Sequence, residues 1–175
     1  MPDEIEAKLK VDNHDAVRAA LVAAGATRVS KVREVNTYYA CSDPDVGLRT
    51  RLETDEAGNA RGRVTFKGPR KASKYKSREE IEFDAGDTDA AGRLLERLGH
   101  CVALRFEKDR ETFTLGDCEI VLDTLPHLGH FVEVEGPSEQ SVSDVLAQLG
   151  LAERETLQQG YASMLAATGE TDIRF

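Results

Sequence analysis

Glu4-Ile5-Glu6-Ala7-Lys8-Leu9-Lys10-Val11 is the stretch whose reading decides the fold. Ile5, Ala7, Leu9 and Val11 are apolar, while Glu4, Glu6, Lys8 and Lys10 are charged. A period of two is the mark of a β-strand, whose successive side chains point to opposite sides. The spacing predicts a strand over 3–11 with one apolar and one fully charged face.

The same alternation recurs along the chain. Over 46–54, Leu48 and Leu52 oppose Arg49 and Arg51, and over 61–68, Val64 and Phe66 oppose Arg61, Arg63, Thr65 and Lys67. Over 74–84, Lys74, Lys76, Arg78, Glu80 and Glu82 share one parity, with Ile81 and Phe83 on the other. Lys108, Arg110 and Thr112 fall together in 103–114. Glu119 and Asp123 oppose Ile120 and Leu122 in 117–124, and Glu133 and Glu135 oppose Val132 and Val134 in 130–136. A further strand is predicted over 28–40. Short loops at 55–59 and 115–117 make their flanking strands antiparallel.

Four helices complete the pattern. Asp12 or Asn13 caps one carrying Val17, Ala20, Leu21 and Ala24. Asp87 or Thr88 opens one with Ala91, Leu94, Leu95 and Leu98, and Ser138 or Ser141 opens one with Val142, Val145, Leu146 and Leu149. A glycine (Gly25, Gly99, Gly150) follows each of the three, as helix grammar requires. A fourth spans 155–167, and the apolar stripes of all four read as core. The class is α+β, in the order β-α-β-β-β-β-α-β-β-β-α-α.

With 175 residues the chain is expected to form one domain over 1–169, with a loose tail at 170–175. A formal net charge of −9 argues against nonspecific nucleic-acid binding, though it leaves room for a local basic site. No apolar run approaches the ~20 residues of a membrane span, and the first residues lack the features of a signal peptide. Cys41, Cys101 and Cys118 are too few and too scattered for a disulfide framework or a CxxC zinc site, and read as reduced thiols of a cytoplasmic protein. The chain has neither a GxxxxGK[ST] loop nor HExxH. His127 and His130 read as solvated turn residues, and Tyr38, Tyr39 and Tyr75 as strand packing or the lining of a base-binding mouth.

Two arrangements suit so many charged strand faces. One is a sheet with a solvated charged side. The other is a sheet curled into a barrel with a polar interior and its apolar side covered by helices. Many cations on one face need counter-charges, which carboxylates or a polyphosphate ligand supply. Clustered carboxylates hold a hard divalent cation through oxygen.

The ordered motifs resemble one family. Glu4-Ile5-Glu6-Ala7-Lys8 is similar to the ExExK signature of the CYTH superfamily, the triphosphate tunnel metalloenzymes. Its company is Leu48-Arg49-Thr50-Arg51-Leu52, Thr65-Phe66-Lys67-Gly68-Pro69, Ser77-Arg78-Glu79-Glu80-Ile81-Glu82 and Glu107-Lys108-Asp109-Arg110. Leu122-Asp123-Thr124-Leu125, Leu128-Gly129-His130-Phe131-Val132-Glu133-Val134-Glu135 and Gly160-Tyr161-Ala162-Ser163-Met164-Leu165 follow.

The resemblance implies an eight-stranded antiparallel β-barrel, a tunnel with a charged interior and amphipathic helices outside. It implies Mg²⁺ or Mn²⁺ held by Glu4, Glu6 and Glu133, with Asp123 and Glu135 in support. It assigns triphosphate binding to Lys8, Arg49, Arg51, Lys67, Lys108 and Arg110, beside a third cluster of Arg78, Glu80 and Glu82. Glu6, Glu80 and Glu82 are the candidate proton acceptors. The expected activity is that of a class IV adenylate cyclase, making cyclic AMP and pyrophosphate from ATP. The alternative is a triphosphatase acting on tripolyphosphate, thiamine triphosphate or a nucleotide. A non-catalytic polyphosphate-binding module is the third reading, which the Glu4, Glu6 and Glu133 set disfavours. The expected partner is the small triphosphate, with no nucleic acid and no membrane, and self-association as a homodimer stays open.

Overall fold

The computed structural model describes residues 5–43, 45–69 and 79–175. Their elements are β1 (Ile5–Val11), α1 (Asp15–Ala23), β2 (Thr27–Tyr39), β3 (Gly47–Asp55), β4 (Ala60–Lys67), β5 (Glu80–Asp84), α2 (Thr88–Arg97), β6 (Val102–Leu115), β7 (Cys118–Leu125), β8 (Gly129–Gly136), α3 (Glu139–Gln148), α4 (Tyr161–Ala166) and β9 (Asp172–Ile173). Hydrogen-bonded neighbours run β1-β8-β7-β6-β2-β3-β4-β5, with β9 beside β6. The class is α+β with a large antiparallel sheet of eight strands, as the alternation predicts. Among the described residues no ladder joins β5 to β1, so the sheet is not closed and the expected barrel is not confirmed. The predicted strand over 74–84 is described only from Glu80 onward in β5, because 70–78 lie outside the described residues.

The chain packs as two compact units, residues 1–31 with 109–160, and 32–108 with 161–175. In the first, Ala7, Leu9 and Val11 of β1, Ile120 and Leu122 of β7, and Val132 and Val134 of β8 form one apolar side of the sheet. Val17 and Leu21 of α1 and Val142, Val145 and Leu146 of α3 cover it. Burying side chains of this size contributes about 1.5–3 kcal/mol each before chain entropy is subtracted. α3 starts with a capping box, Ser138 and Ser141 each accepting the other's backbone N–H at 3.1 and 3.2 Å.

α1 differs from its predicted cap. The N-cap is His14, not Asp12 or Asn13, and Asn13 Oδ1 instead accepts from Asp15 N at 2.9 Å. The imidazole of His14 leaves the helix end because its Nε2–H donates to the carbonyl of Phe131 at 3.0 Å.

In the second unit α2 packs against β3 and β4. Asp87 caps it by accepting from Ala90 N at 2.8 Å. The predicted stripe is not the buried face here, since Leu94 and Leu98 are 60% and 68% exposed. The helix is turned so that Gly92 is its buried residue. A Cβ on Gly92 would lie 2.6 Å from the Tyr39 hydroxyl, so the helix meets the sheet where its backbone is bare. The predicted fourth helix is shorter than 155–167, beginning at Tyr161. Residues 170–175 contain β9, which pairs parallel to β6 and buries Ile173. No described helix is long and apolar enough to cross a membrane.

His14 gives the first unit a pH dependence. Burial, with His130 and Arg18 nearby, holds its imidazole below the ordinary histidine value against the opposing pull of the Phe131 carbonyl. The unfolded chain therefore takes up this proton more readily than the folded one. The stability due to neutral His14 is present above about pH 6.5 and is lost as the pH falls through the lower folded value. Denaturation at pH 7.5 and 5.5 should show the native protein losing more stability on acidification than His14→Gln, whose amide can still donate to Phe131. Equal losses would count against this assignment.

Candidate functional site

In the first unit, alternation leaves Glu6, Lys8 and Lys10 of β1 on the side opposite the core. Register places Lys8 opposite Glu133 and Glu6 opposite Glu135. Lys8 Nζ lies 3.0 Å from Glu133 Oε1 and 3.2 Å from Glu6 Oε1. Burial alone would lower the Lys8 pKa, but Glu133 and Glu6 outweigh it and hold the ammonium above its ordinary value. On β6, Arg110 is in register with Asp123 of β7. Its Nε and Nη2 donate to the two oxygens of Asp123 at 2.8 and 2.6 Å, and Nη2 also reaches Glu133 Oε2 at 2.8 Å. Asp123 is fully buried. Each oxygen of Glu133 thus meets a different cation, and Asp123 fixes one of those cations by a fork.

Carboxylate oxygens of this kind are the ligands a hard divalent cation takes. Two carboxylates, Glu6 and Glu133, already aim one oxygen each at a single positive charge. Both Asp123 oxygens are engaged by Arg110. Among the described residues no three His, Cys, Asp or Glu side chains gather as a metal cluster, and Glu4 lies outside them.

In the second unit, register brings Tyr38, Arg49, Thr65 and Glu82 into one row across β2, β3, β4 and β5, and Asn36, Arg51, Arg63 and Asp84 into the next. Arg51 is firmly held. Its Nε donates to Asn36 Oδ1 at 2.9 Å and lies 3.2 Å from Glu34 Oε2, and Nη1 is 3.6 Å from Glu53. Lys108, only 2% exposed, places Nζ 3.3 Å from the same Glu34 oxygen. Lys67 pairs with Glu80 at 2.8 Å.

Arg49 is different. Its side chain is 11% exposed, yet its contacts are long: 3.5 Å to Tyr38 Oη, 3.3 Å to Thr65 Oγ1 and 3.8 Å to Glu82 Oε2. Its Nε is buried with no hydrogen-bond partner among the described residues. Burial pushes the Glu82 carboxyl up, but the Thr65 hydroxyl at 2.7 Å and Arg63 at 3.0 Å outweigh it and hold it below the usual carboxylate range.

A CYTH domain family model matches residues 2–161. The chain belongs to the CYTH domain family. MJ0240 of Methanocaldococcus jannaschii, provisionally named an adenylate cyclase, is 31% identical over 147 residues, 81% of this chain and 79% of that protein. The solved structure of PH1819 from Pyrococcus horikoshii is 27% identical, covering 94% of this chain and 99% of that one, with a TM-score of 0.78. A more distant likeness, showing the fold alone, is HpAC1 of Hippeastrum at 14% identity and a TM-score of 0.67, over 94% and 95% of the two chains. Its structure is described as that of a provisional adenylyl cyclase with a dominant triphosphatase activity.

Within this CYTH chain the structure brings Glu6, Lys8, Arg110, Asp123 and Glu133 into one connected cluster. Glu135 is the register neighbour of Glu6. Arg49, Arg51, Lys67, Glu80, Glu82 and Lys108 belong to the other unit's charged groups. Glu4, Arg78 and Tyr75 lie outside the described residues. Sequence reasoning missed Glu34 and Asn36, buried at 0% and 1% exposure. They share the parity of Tyr38 on β2, and that parity was the available signal. Tyr38 stacks on Phe106 with ring centroids 5.9 Å apart, whereas Tyr39 faces the other side, against Thr50. His130 is not a solvated turn residue. It is the second residue of β8, shares a hydrogen bond with Thr124 at 3.1 Å, and meets His14 edge-on.

Removing one partner of a buried ion pair typically costs about 3–5 kcal/mol. Asp123→Ala leaves Arg110 only Glu133 among the ion pairs named here, so an unfolding free energy lower by about 3 kcal/mol is expected in denaturant titration. A loss under about 1 kcal/mol would show that Asp123 does not anchor Arg110.

Proposed function

We propose that this CYTH protein is a divalent-metal-dependent enzyme acting on a triphosphate, and that its reaction is the cyclisation of ATP to cyclic AMP and pyrophosphate. The observation that carries the reading is Arg49, a nearly buried guanidinium with long contacts and an unsatisfied Nε. A buried donor left without a partner costs about 1–3 kcal/mol, more where the group is charged. A phosphate oxygen would satisfy it, and arginine's fork is well matched to that anion. Lys8, Arg51, Lys67, Arg78, Lys108 and Arg110 are proposed to bind the remaining phosphate charge.

Glu6 and Glu133 are proposed to hold Mg²⁺ or Mn²⁺, with Glu4 as the further ligand and Glu135 near Glu6. A cation there would acidify the attacking oxygen and neutralise phosphate charge. Asp123 is given a different part, because both its oxygens hold Arg110. It positions that guanidinium. In the cyclase the ribose 3′-oxygen forms a bond to the α-phosphorus as the bond to the bridging oxygen breaks. The hydroxyl proton passes to a carboxylate, and pyrophosphate leaves. Glu6, Glu80 and Glu82 are the candidates, and Thr65 and Arg63 hold the Glu82 carboxyl below the usual carboxylate range, which counts against it as the acceptor. The name of MJ0240 favours the cyclase.

The second reading is a triphosphatase, in which water attacks the terminal phosphorus and orthophosphate leaves. The description of HpAC1 favours it. The protein is incubated with Mg²⁺ or Mn²⁺ and, separately, ATP, tripolyphosphate and thiamine triphosphate. Cyclic AMP with pyrophosphate is the expected result. Orthophosphate alone would select the triphosphatase, and no turnover of any of the three with either metal would leave only a binding module. Arg49→Ala should raise KM for a triphosphate roughly tenfold or more, the weight of one charge-assisted hydrogen bond. An equal rise for a monophosphate would place Arg49 outside the polyphosphate site.

A further inference from the structure

We propose that Lys8 is a built-in stand-in for the divalent cation, its ammonium filling the place between Glu6 and Glu133 until a metal ion displaces it. This rests on the metal-dependent reading above and adds a role to a residue so far assigned only to phosphate. Three features of the first unit carry it.

The first is convergence. Lys8 Nζ is 3.2 Å from Glu6 Oε1 and 3.0 Å from Glu133 Oε1, with its side chain only 10% exposed. The same two carboxylates are the ones proposed above to hold a metal, and these oxygens cannot serve both cations fully. The second is rigidity. Glu133 is also held through Oε2 by Arg110 at 2.8 Å, and Arg110 is forked onto the buried Asp123. The carboxylate cannot readily turn away to accommodate lysine and metal together. The third is the kind of side chain. Lysine is a point charge on a flexible four-carbon stem, so its head can leave without moving β1. Arg110, held by three short contacts, has no such freedom.

The consequence is competition in the empty protein and cooperation in the loaded one. An oxyanion that takes the Lys8 ammonium vacates the place between the carboxylates. By linkage, a metal ion that takes the carboxylates makes the ammonium available to the anion.

The test measures Mg²⁺ affinity of the nucleotide-free protein by calorimetry. Lys8→Met is compared with the native chain and with Lys10→Met. Lys10 stands on the same side of β1 and is exposed, so its replacement removes the same charge without vacating the place. At least tenfold tighter Mg²⁺ binding is expected for Lys8→Met, and a change within about twofold for Lys10→Met. In the native protein, the side-chain ammonium resonance of Lys8, assigned by its loss in Lys8→Met, should shift with a midpoint at the Mg²⁺ dissociation constant.

Equal changes in the two variants, or a Lys8 resonance unmoved at saturating Mg²⁺, would overturn the stand-in while leaving metal binding intact. Failure of all three proteins to bind Mg²⁺ would overturn it together with the metal-dependent reading. The resonance measurement needs only the native chain, so a Lys8→Met variant that folds poorly does not shelter the proposal.

Discussion

Like charges facing one another across a ladder repel, and this chain places them there repeatedly. Arg51 is in register with Arg63. Glu6 is in register with Glu135, and Glu135 with Glu119. The rest of the charged side is arranged to answer these conflicts. Glu53 lies 3.6 Å from Arg51 and 3.4 Å from Arg63, so one carboxylate serves two neighbouring guanidinium groups. Lys8 answers Glu6 and Glu133 together, and Arg110 answers Asp123 and Glu133. Cations and carboxylates are therefore mutually required. Taking away either kind leaves the other desolvated and uncompensated, which costs more than the pair ever contributed.

That mutual requirement links folding to function in a specific way. A face stabilised by internal ion pairs is neutralised by contacts that a ligand can exchange. The strength of each contact then sorts the residues. A forked guanidinium on a buried carboxylate, as in Arg110 with Asp123, is a fixed part of the frame. A lysine between two carboxylates is an exchangeable one. Glu133 touches both kinds, one oxygen to each, so a forked guanidinium orients it toward the lysine.

The strand faces were legible because a period of two needs no knowledge of neighbours. Leu9, Ile120 and Val132 go inward and Lys8, Asp123 and Glu133 go to the other side on parity alone. Helix orientation was less legible. The Leu94 and Leu98 stripe lost to Gly92, because close approach over Tyr39 depends on the smallest residue, and apolar spacing does not report that. The cap of α1 was missed for a related reason, since His14 is committed to the carbonyl of Phe131, 117 positions away. Glu34 and Asn36 stand at the right parity, yet within a strand of mixed polar residues nothing marks them as fully buried. Closure of the sheet is also beyond alternation, which says which way a side chain points but not which strand ends beside which.

Arg49 and Arg51 make the limit concrete. They are two positions apart on β3, of one parity and one residue type, and any sequence pattern treats them alike. Their surroundings divide them. Arg51 has Asn36 at 2.9 Å, Glu34 at 3.2 Å and Glu53 at 3.6 Å, partners enough for a guanidinium out of water. Arg49 has a tyrosine hydroxyl, a threonine hydroxyl and a carboxylate at 3.8 Å that is already engaged by Thr65 and Arg63. Five donors in a rigid fork are thus served in one case and under-served in the other. The difference lies in β2, where Glu34 and Asn36 stand across from Glu53 and Arg51 while Tyr38 stands across from Arg49. A frame that satisfied Arg49 as fully as Arg51 would hold together better and leave less for an anion to gain. The under-served guanidinium is a feature of this face, shared at Nε by Arg63, that a stability requirement alone does not account for.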